Sequence, residues 1–143
     1  MLHERNIEHS QLIAARVLTN NATATANLDT QGNAYATIVV NINSEANTNA
    51  VGPTISLLHS DDTEATNFAT ITANITGDAV AAKPIVYGVD LRGKKRYLRL
   101  SVSSATATND HHVIAADAIM SRLGIGPAGT TGIASTNGVV RFV

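Results

Sequence analysis

Hydrophobic and polar residues alternate at a period of two along much of the chain, a pattern typical of half-buried β-strands. In residues 36–43, the side chains of Ile38, Val40 and Ile42 face one way and those between them face the other. The same period predicts further strands over residues 54–60, 68–75, 85–91, 96–102, 113–120 and 139–143. Since neighbouring side chains of a strand point to opposite faces, each run offers one apolar face to a core.

Turn residues separate these runs and indicate the fold class. Residues 43–52 are rich in Asn, residues 60–67 contain two Asp, residues 91–94 turn at Gly93, and Asn137-Gly138 is a type I′ hairpin signal. Short strands at this spacing favour two packed sheets over alternating βαβ units. We therefore expect an all-β fold, a single jelly-roll-like β-sandwich of about eight strands.

The two ends of the chain are harder to assign. Residues 5–18 fit a short helix or a strand about equally well, and residues 3–18 also fit an arm that packs on a neighbouring molecule. Residues 124–138 hold five Gly and one Pro, which predicts a long loop before a last strand. We divide the chain into an N-terminal arm, residues 1–18, with a first strand as the alternative, and a β-sandwich domain, residues 19–143.

The composition supports β-structure and limits the chemistry. Ala (22), Thr (17) and Asn (13) are abundant, whereas Glu (4) and Lys (3) are few, so long-chain helix formers are scarce. Aromatic residues make up 3% of the chain, so aliphatic side chains must fill the core, and we expect contacts between copies to add stability. The absence of Cys excludes disulfides and thiolate chemistry.

Charge and hydropathy set limits on the partners. A formal net charge of −1 gives no overall field toward nucleic acid or anionic lipid. No segment approaches the ~18 consecutive apolar residues of a membrane span, and residues 1–9 lack the apolar run of a secretory signal. We expect a soluble protein made in a cytoplasm, with neither nucleic acid nor membrane as partner.

One glycine-rich segment resembles a phosphate-binding motif. Residues 124–129 match the pattern G-x-G-x-x-G, which cradles a phosphate when it leads from a strand into a helix. Pro127 removes a backbone donor inside the motif, and no βαβ pattern surrounds it. A loop is the better interpretation, and we expect no cofactor.

Two histidine-containing segments are candidates for catalysis or metal binding. In residues 59–62 (His-Ser-Asp-Asp) adjacent side chains of a strand would diverge, so we expect the carboxylates to cap a turn instead. His111 and His112 lack the spacing of zinc ligands. No acid, base and nucleophile converge, so we expect no catalytic residue, no metal site and no enzymatic activity.

A cluster of cations is the strongest candidate for an interface. Five cations and Tyr97 lie within residues 92–99. They fit a structural role beside a turn first, an acidic partner surface second and phosphate contacts third. With two arginines of the N-terminal segment they form our candidate interface set: Arg5, Arg16, Arg92, Lys94, Lys95, Arg96, Tyr97 and Arg99. The arm and the loop at residues 124–137 complete the expected contact surface.

Four segments follow one another in a characteristic order. A strand at residues 38–42 precedes a strand that ends in Ser-Asp-Asp at 60–62, then comes Gly-Lys-Lys-Arg-Tyr-Leu-Arg at 93–99 and an Ala-rich strand at 114–123. This order resembles that of a family of small phage virion proteins, and the similarity spans roughly residues 34–123. The N-terminal segment and residues 124–138 depart from the pattern.

The resemblance implies a capsid decoration (cement) protein of a tailed phage, with a jelly-roll-like sandwich and no cofactor. Such a protein binds the outside of the capsid and bridges neighbouring major capsid subunits. The implied partners are the major capsid protein and other copies of the chain, with a homotrimer favoured and a homodimer as the alternative. The implied location is the capsid surface of the virion, after synthesis in the host cytoplasm.

Two other functions stay open at this point. One is a structural protein of the tail or of head completion. The other is a carbohydrate- or receptor-binding module, for which three Tyr, two Phe and no Trp provide few aromatic platforms.

Overall fold

Ten strands make up most of the described chain. In a computed structural model, the described residues are 7–44, 52–77, 83–104, 111–122 and 139–143. The strands are β1 (Ile7–Leu18), β2 (Thr23–Asp29), β3 (Tyr35–Ser44), β4 (Thr54–Ser60), β5 (Ala69–Thr70), β6 (Ile75–Thr76), β7 (Ile85–Asp90), β8 (Tyr97–Ser103), β9 (His112–Ser121) and β10 (Val139–Phe142). A single 3-10 turn, Ala65–Asn67, is the only helical element in these ranges.

The strands form two sheets that pack into a sandwich. Sheet 1 has the order β1-β9-β3-β7-β10, and sheet 2 has the order β2-β8-β4-β5, with β6 also paired to β4. Every pairing is antiparallel except that of β10 with β7, which is parallel. The predicted all-β sandwich is confirmed, and eight of the described strands have four or more residues.

The core lies between the sheets and is built from alternate residues of each strand. Ile38 and Val40 from sheet 1 and Leu98 and Leu100 from sheet 2 are buried, as the alternation predicts. Tyr87 is the largest fully buried side chain of the described residues. Each large apolar side chain contributes about 1.5–3 kcal/mol relative to an exposed one, so this cluster is the main source of stability.

The predicted strand over residues 68–75 is wrong as a continuous element. The segment forms only β5 and β6, which pair separately with β4, at Leu58↔Thr70 and at Ile55↔Ile75. Between the two pairings β4 advances by three residues, from Ile55 to Leu58, whereas the segment opposite it advances by five, from Thr70 to Ile75. That segment therefore contains two extra residues between the pairings. Because an excess of two residues preserves the alternation of faces, the sequence pattern does not reveal the interruption.

Residues 23–29 form strand β2, which the pattern analysis did not predict. Ala24 and Leu28 are buried, and Ala26 packs against the core between them. The alternation with Thr and Asn is present in the sequence, but two of its three apolar positions are Ala, which gives a weak hydrophobic signal. β2 pairs with β8 along its whole length and is one edge of sheet 2.

The N-terminal segment is an edge strand in the structure rather than a helix. β1 pairs with β9 from Ile7 to Leu18, with two register shifts, one on each side of Ile13. Its buried residues, Ile13 and Leu18, are five positions apart because these shifts break the period of two. The segment that we assigned as an arm therefore lies in sheet 1 from residue 7 onward.

The last strand does not pair as the hairpin signal indicates. β10 lies parallel to β7, and β9 has β1 and β3 as its neighbours, so no β9–β10 hairpin forms in the described residues. Parallel neighbours require a crossover rather than a tight turn. Asn137-Gly138, Arg5 and the glycine-rich residues 124–138 lie outside the described residues.

Candidate functional site

The cationic cluster lies on and beside the turn between β7 and β8. Gly93 has a φ of +83°, which a residue with a side chain rarely adopts, and the Lys94 amide donates to the Leu91 carbonyl oxygen at 3.1 Å. This tight turn sends β8 back across the other sheet. The cations on it are therefore held at one end of the sandwich.

Arg92 is engaged within the chain by Asp90 and Tyr35. Its guanidinium donates to the two carboxylate oxygens of Asp90 at 2.9 Å and 2.7 Å, and also to the Tyr35 hydroxyl. The carbon of the guanidinium lies 5.0 Å from the centre of the Tyr35 ring. The hydrogen bonds from Arg92 lower the pKa of Asp90 to about 2.

Arg96 makes a similar pair with a residue far away in the sequence. Its Nε and Nη2 donate to the Asp29 carboxylate at 3.0 Å and 2.6 Å, and the guanidinium lies 4.9 Å from the centre of the Tyr97 ring. The hydrogen bonds from Arg96 lower the pKa of Asp29, and the Asp29 carboxylate raises the pKa of Arg96. Tyr97 is thus the stacking partner of its own neighbour.

Arg99 and Lys95 are also paired within the chain. The Arg99 guanidinium lies 3.7 Å from the centre of the Phe68 ring, and its Nε donates to the Asn27 Oδ1 at 2.8 Å. Lys95 Nζ lies 3.1 Å from the Asp61 carboxylate. These contacts tie β8 to the edge strand β2 and to the segment between β4 and β5.

The predicted interface cations therefore fall into two groups. Arg92, Lys95, Arg96 and Arg99 have carboxylate, amide or aromatic partners inside the chain. Lys94 and Arg16 have no ion-pair partner among the described residues, and Arg5 lies outside them. Carboxylates therefore neutralise Arg92, Lys95 and Arg96, whereas Lys94 and Arg99 have no carboxylate partner among the described residues.

The His-Ser-Asp-Asp segment stabilises a turn, as the sequence predicts. The Asp62 Oδ1 accepts the Glu64 amide at 2.9 Å, the Asp62 Oδ2 accepts the Asn67 side-chain amide at 2.8 Å, and these bonds lower the pKa of Asp62. The His59 Nδ1 accepts the Lys95 amide at 3.3 Å. Within the described ranges, no three His, Asp or Glu side chains are grouped so that they could hold a metal ion.

Burial lowers the pKa of His59, and the charges of Lys95 and Lys94 lower it further. The neutral imidazole therefore persists to lower pH and continues to accept the Lys95 amide. His112, by contrast, is a fully buried core residue of β9.

The exposed hydrophobic side chains lie on one side of the sandwich. Ile7, Val17 and Ile119 are 46%, 50% and 44% exposed, and they are the exposed large hydrophobics of the described residues. All three point away from the core, on the outer face of the β1–β9 pair, where Ile7 lies opposite Ser121 and Val17 opposite Val113. The sequence pattern does not assign residues 5–18 to a face, so this surface is not predicted from it.

Two depressions lie on the described part of the surface. One of about 200 Å³ lies against β3, β9 and Pro84 on sheet 1, with Val113 and Ala115 in its lining. The other, of about 120 Å³, lies at the open edge between β1 and β2 and is lined by Leu12, Ile13, Ala14, Arg16 and Thr25. Neither lining contains a carboxylate or an imidazole, so neither provides a general acid or base.

Comparisons of sequence identify no relatives. No protein-family model matches the chain, and no curated protein matches it.

No helix in the described part of the chain is long and apolar enough to cross a membrane.

Solved structures resemble the fold at low sequence identity. A chain in the structure of the infectious bursal disease virus Gx strain gives a TM-score of 0.50 and 11% identity, over 85% of this chain and 34% of that chain. The VP2 subviral particle of infectious bursal disease virus gives 0.49 and 10%, over 82% and 32%. The enzymatically active domain of tailspike protein 4 of bacteriophage CBA120 gives 0.45 and 10%, over 78% and 19%.

The likeness shows the β-sandwich fold alone. At 11% identity or less, a shared sandwich carries no information about individual residues. The chain spans about a third of the length of the two viral chains that it resembles.

Proposed function

We propose that the protein is a structural virion protein that binds the outside of a phage capsid and stabilises it as a decoration protein. Its partners would be the major capsid protein and further copies of itself, and its place would be the capsid surface. It would act by adhesion, without a cofactor and without catalysis. The finer assignment follows the family resemblance of residues 34–123, and the surface described above supports it.

The observation that carries this proposal is the outer face of the β1–β9 pair. Monomeric proteins scatter single apolar residues over their surface, whereas contiguous exposed apolar residues mark contact sites. Here Ile7 lies two positions from His9, which is directly opposite Ile119, so these two exposed apolar side chains are neighbours, whereas Val17 lies at the other end of the same strand pair. We call this surface the apolar face, and we assign the shell contact to the part around Ile119.

The surroundings of Ile119 suit a protein partner. Thr37 and His9 lie opposite it on the neighbouring strands, and the His9 imidazole lies 3.9 Å from the Asp117 carboxylate. An apolar centre with a polar rim is the usual anatomy of a protein–protein interface. On a shell with many identical sites, weak contacts of this kind add through multivalency.

The fold is compatible with a virion role. The sandwich resembles a chain in an infectious bursal disease virus structure, at a TM-score of 0.50. A sandwich alone hosts many functions, so the likeness supports the proposal without carrying it.

Cosedimentation with capsid shells tests the proposal. We expect purified protein to pellet with shells of the major capsid protein in a saturable manner. Ile119→Glu should weaken this binding by roughly tenfold or more, because it places a charge at the centre of the apolar face. Thr76→Glu, a change at an exposed residue of β6 in sheet 2, is the matched control and should bind like the wild type. Failure of the wild type to pellet, or equal binding by Ile119→Glu, would contradict the proposal.

A further inference from the structure

Strand β1 is a long edge strand with one neighbour among the described strands. It has twelve residues that lie along ten residues of β9, so it spans about 33 Å at ~3.3 Å per residue, and it pairs with β9 alone. An edge of this length presents unpaired backbone groups to any strand that approaches it. Proteins usually cover such an edge or place charged residues on it. The side chains on β1 therefore indicate which kind of strand can pair with it.

Charged residues are placed symmetrically on β1. Glu8 and Arg16 lie four residues before and four residues after Leu12. Both are exposed, and both lie opposite core-facing residues of β9, namely Met120 and Ile114, so they share one side of the strand. The strand thus has an acidic end and a basic end at equal distances from its centre.

The apolar residues follow the same symmetry on the other side of the strand. Ile7 and Val17 lie five residues before and five residues after Leu12, and both belong to the apolar face. Directly opposed residues of antiparallel strands lie on the same face of a sheet. In an antiparallel pair of two β1 strands centred on Leu12, Ile7 therefore meets Val17, and Glu8 meets Arg16.

We propose that β1 pairs edge to edge with β1 of a second copy about a two-fold axis near Leu12. The pairing makes two Glu8–Arg16 ion pairs and two Ile7–Val17 contacts, and it joins the two copies of sheet 1. Such an interface is isologous, because the same surface is used twice and the assembly closes at two subunits. Charges and apolar groups are complementary in this one register, which is why a second copy of the chain is the occupant.

The side chains involved are available for this contact. The Arg16 side chain makes no hydrogen bond or ion pair within the described residues. Glu8 makes one long contact, in which the Asn33 Nδ2 donates to its Oε2 at 3.5 Å. This contrasts with Arg92, Arg96 and Arg99, which are engaged inside the chain.

The register shifts of β1 limit the extent of the pairing. They lie on both sides of Ile13, whereas residues 7–11 and 16–18 pair regularly with β9. A bulge twists a strand and interrupts its ladder, so the contact forms at the two ends and not through the middle. We therefore expect a dimer that dissociates on dilution.

This inference deepens the proposed function by naming the self-contact, and it rests on the proposal that the surface is adhesive. It is tested on the isolated protein by sedimentation equilibrium over a range of concentrations. We expect a reversible dimer of twice the 14.9 kDa chain mass. Arg16→Glu or Glu8→Arg alone should weaken dimerisation by roughly tenfold or more, since like charges then face each other twice. The double variant Glu8→Arg with Arg16→Glu should restore it.

The controls separate this contact from folding and from shell binding. Lys94→Glu makes the same charge change as Arg16→Glu on the turn between β7 and β8, and it should dimerise like the wild type. Thermal unfolding of each variant monitors the fold, and the double variant keeps the test valid if a single variant is less stable. A monomer at all concentrations, a trimer, or a dimer indifferent to both charge changes would overturn the inference. Shell binding can succeed in any of these cases, so the two proposals fail independently.

Discussion

Arg96 and Asp29 form a bidentate ion pair that links the start of β8 to the end of β2, with N–O distances of 3.0 Å and 2.6 Å. Thr30 reinforces this junction, because its amide and its hydroxyl both donate to the Arg96 carbonyl oxygen, at 3.0 Å and 2.6 Å. β2 is the edge strand of sheet 2. The pair therefore adds a contact at one end of this edge strand, and it engages one of the candidate interface cations within the chain.

Acid should weaken this junction and the Arg92–Asp90 pair together. Both carboxyl groups have a pKa below the ordinary 3.8, and that of Asp90 is about 2. A lowered pKa in the folded state gives stability that is present above the unfolded pKa and lost as pH falls through the folded one. We expect the double variant Asp29→Asn with Asp90→Asn to be less stable than the wild type at neutral pH. The difference in melting temperature should shrink below about pH 4 and disappear only below pH 2, where Asp90 is protonated in the folded state as well; a constant difference would show that the charges do not contribute.

His59 should make stability sensitive to a milder range of pH. Its folded pKa is lowered from 6.5 by burial and by Lys95 and Lys94, so the imidazole contributes stability above pH 6.5 that is lost as the pH falls through its folded pKa. We expect the wild type to lose stability between pH 7 and pH 5, and His59→Gln to lose less. Gln still offers an oxygen to the Lys95 amide but cannot titrate. Chemical denaturation of both proteins at the two pH values measures this, and parallel losses would exclude His59 as the cause.

Arg99 also has a structural role, and we expect lysine to be a poor substitute for it. The flat guanidinium stacks on Phe68 while its Nε donates to Asn27, a geometry that an ammonium cannot reproduce. We expect Arg99→Lys to cost about 1 kcal/mol of unfolding free energy and to speed hydrogen exchange over Ala65–Asn67. Arg122→Lys, at an exposed arginine after β9, is the control and should change neither quantity. Unchanged exchange in Arg99→Lys would show that the stacking does not hold this segment.

The core should depend on residues from both sheets. Leu100 is 1% exposed in the centre of β8, so Leu100→Ala should cost about 2–5 kcal/mol of unfolding free energy. Ile119→Ala removes a similar side chain from the apolar face and should cost about 0.5 kcal/mol or less. Similar costs for the two variants, measured by urea denaturation, would mean that Ile119 is covered in solution.

Alternation located the strands whose apolar residues are large. In the strand predicted at residues 96–102, the alternate apolar residues Leu98, Leu100 and Val102 are all buried. Alternation does not locate a strand where the hydrophobic contrast is weak or the period of two is interrupted. In β2, alanines dilute the hydrophobic contrast, and in β1, two register shifts separate Ile13 from Leu18 by five residues.

The pairing of the cationic cluster was only partly predictable. Arg92 and Asp90 are two residues apart, so a local pair was foreseeable from the sequence. Arg96 and Asp29 are 67 residues apart, and they meet because β8 lies beside β2, a neighbour relationship that strand patterns do not encode. The apolar face could not be predicted for the same reason, because Ile7 and Ile119 share a surface only when β1 pairs with β9.

The copy number of the chain in purified particles tests the central claim most directly. Quantitative mass spectrometry of washed particles of the phage proposed to encode the chain gives the ratio of this chain to the major capsid protein. If the chain is a decoration protein, we expect a fixed ratio, of the order of one copy per few capsid subunits, that is reproducible between preparations. A handful of copies per particle would indicate a tail or head-completion protein instead, and absence from washed particles would contradict a structural role in the virion altogether.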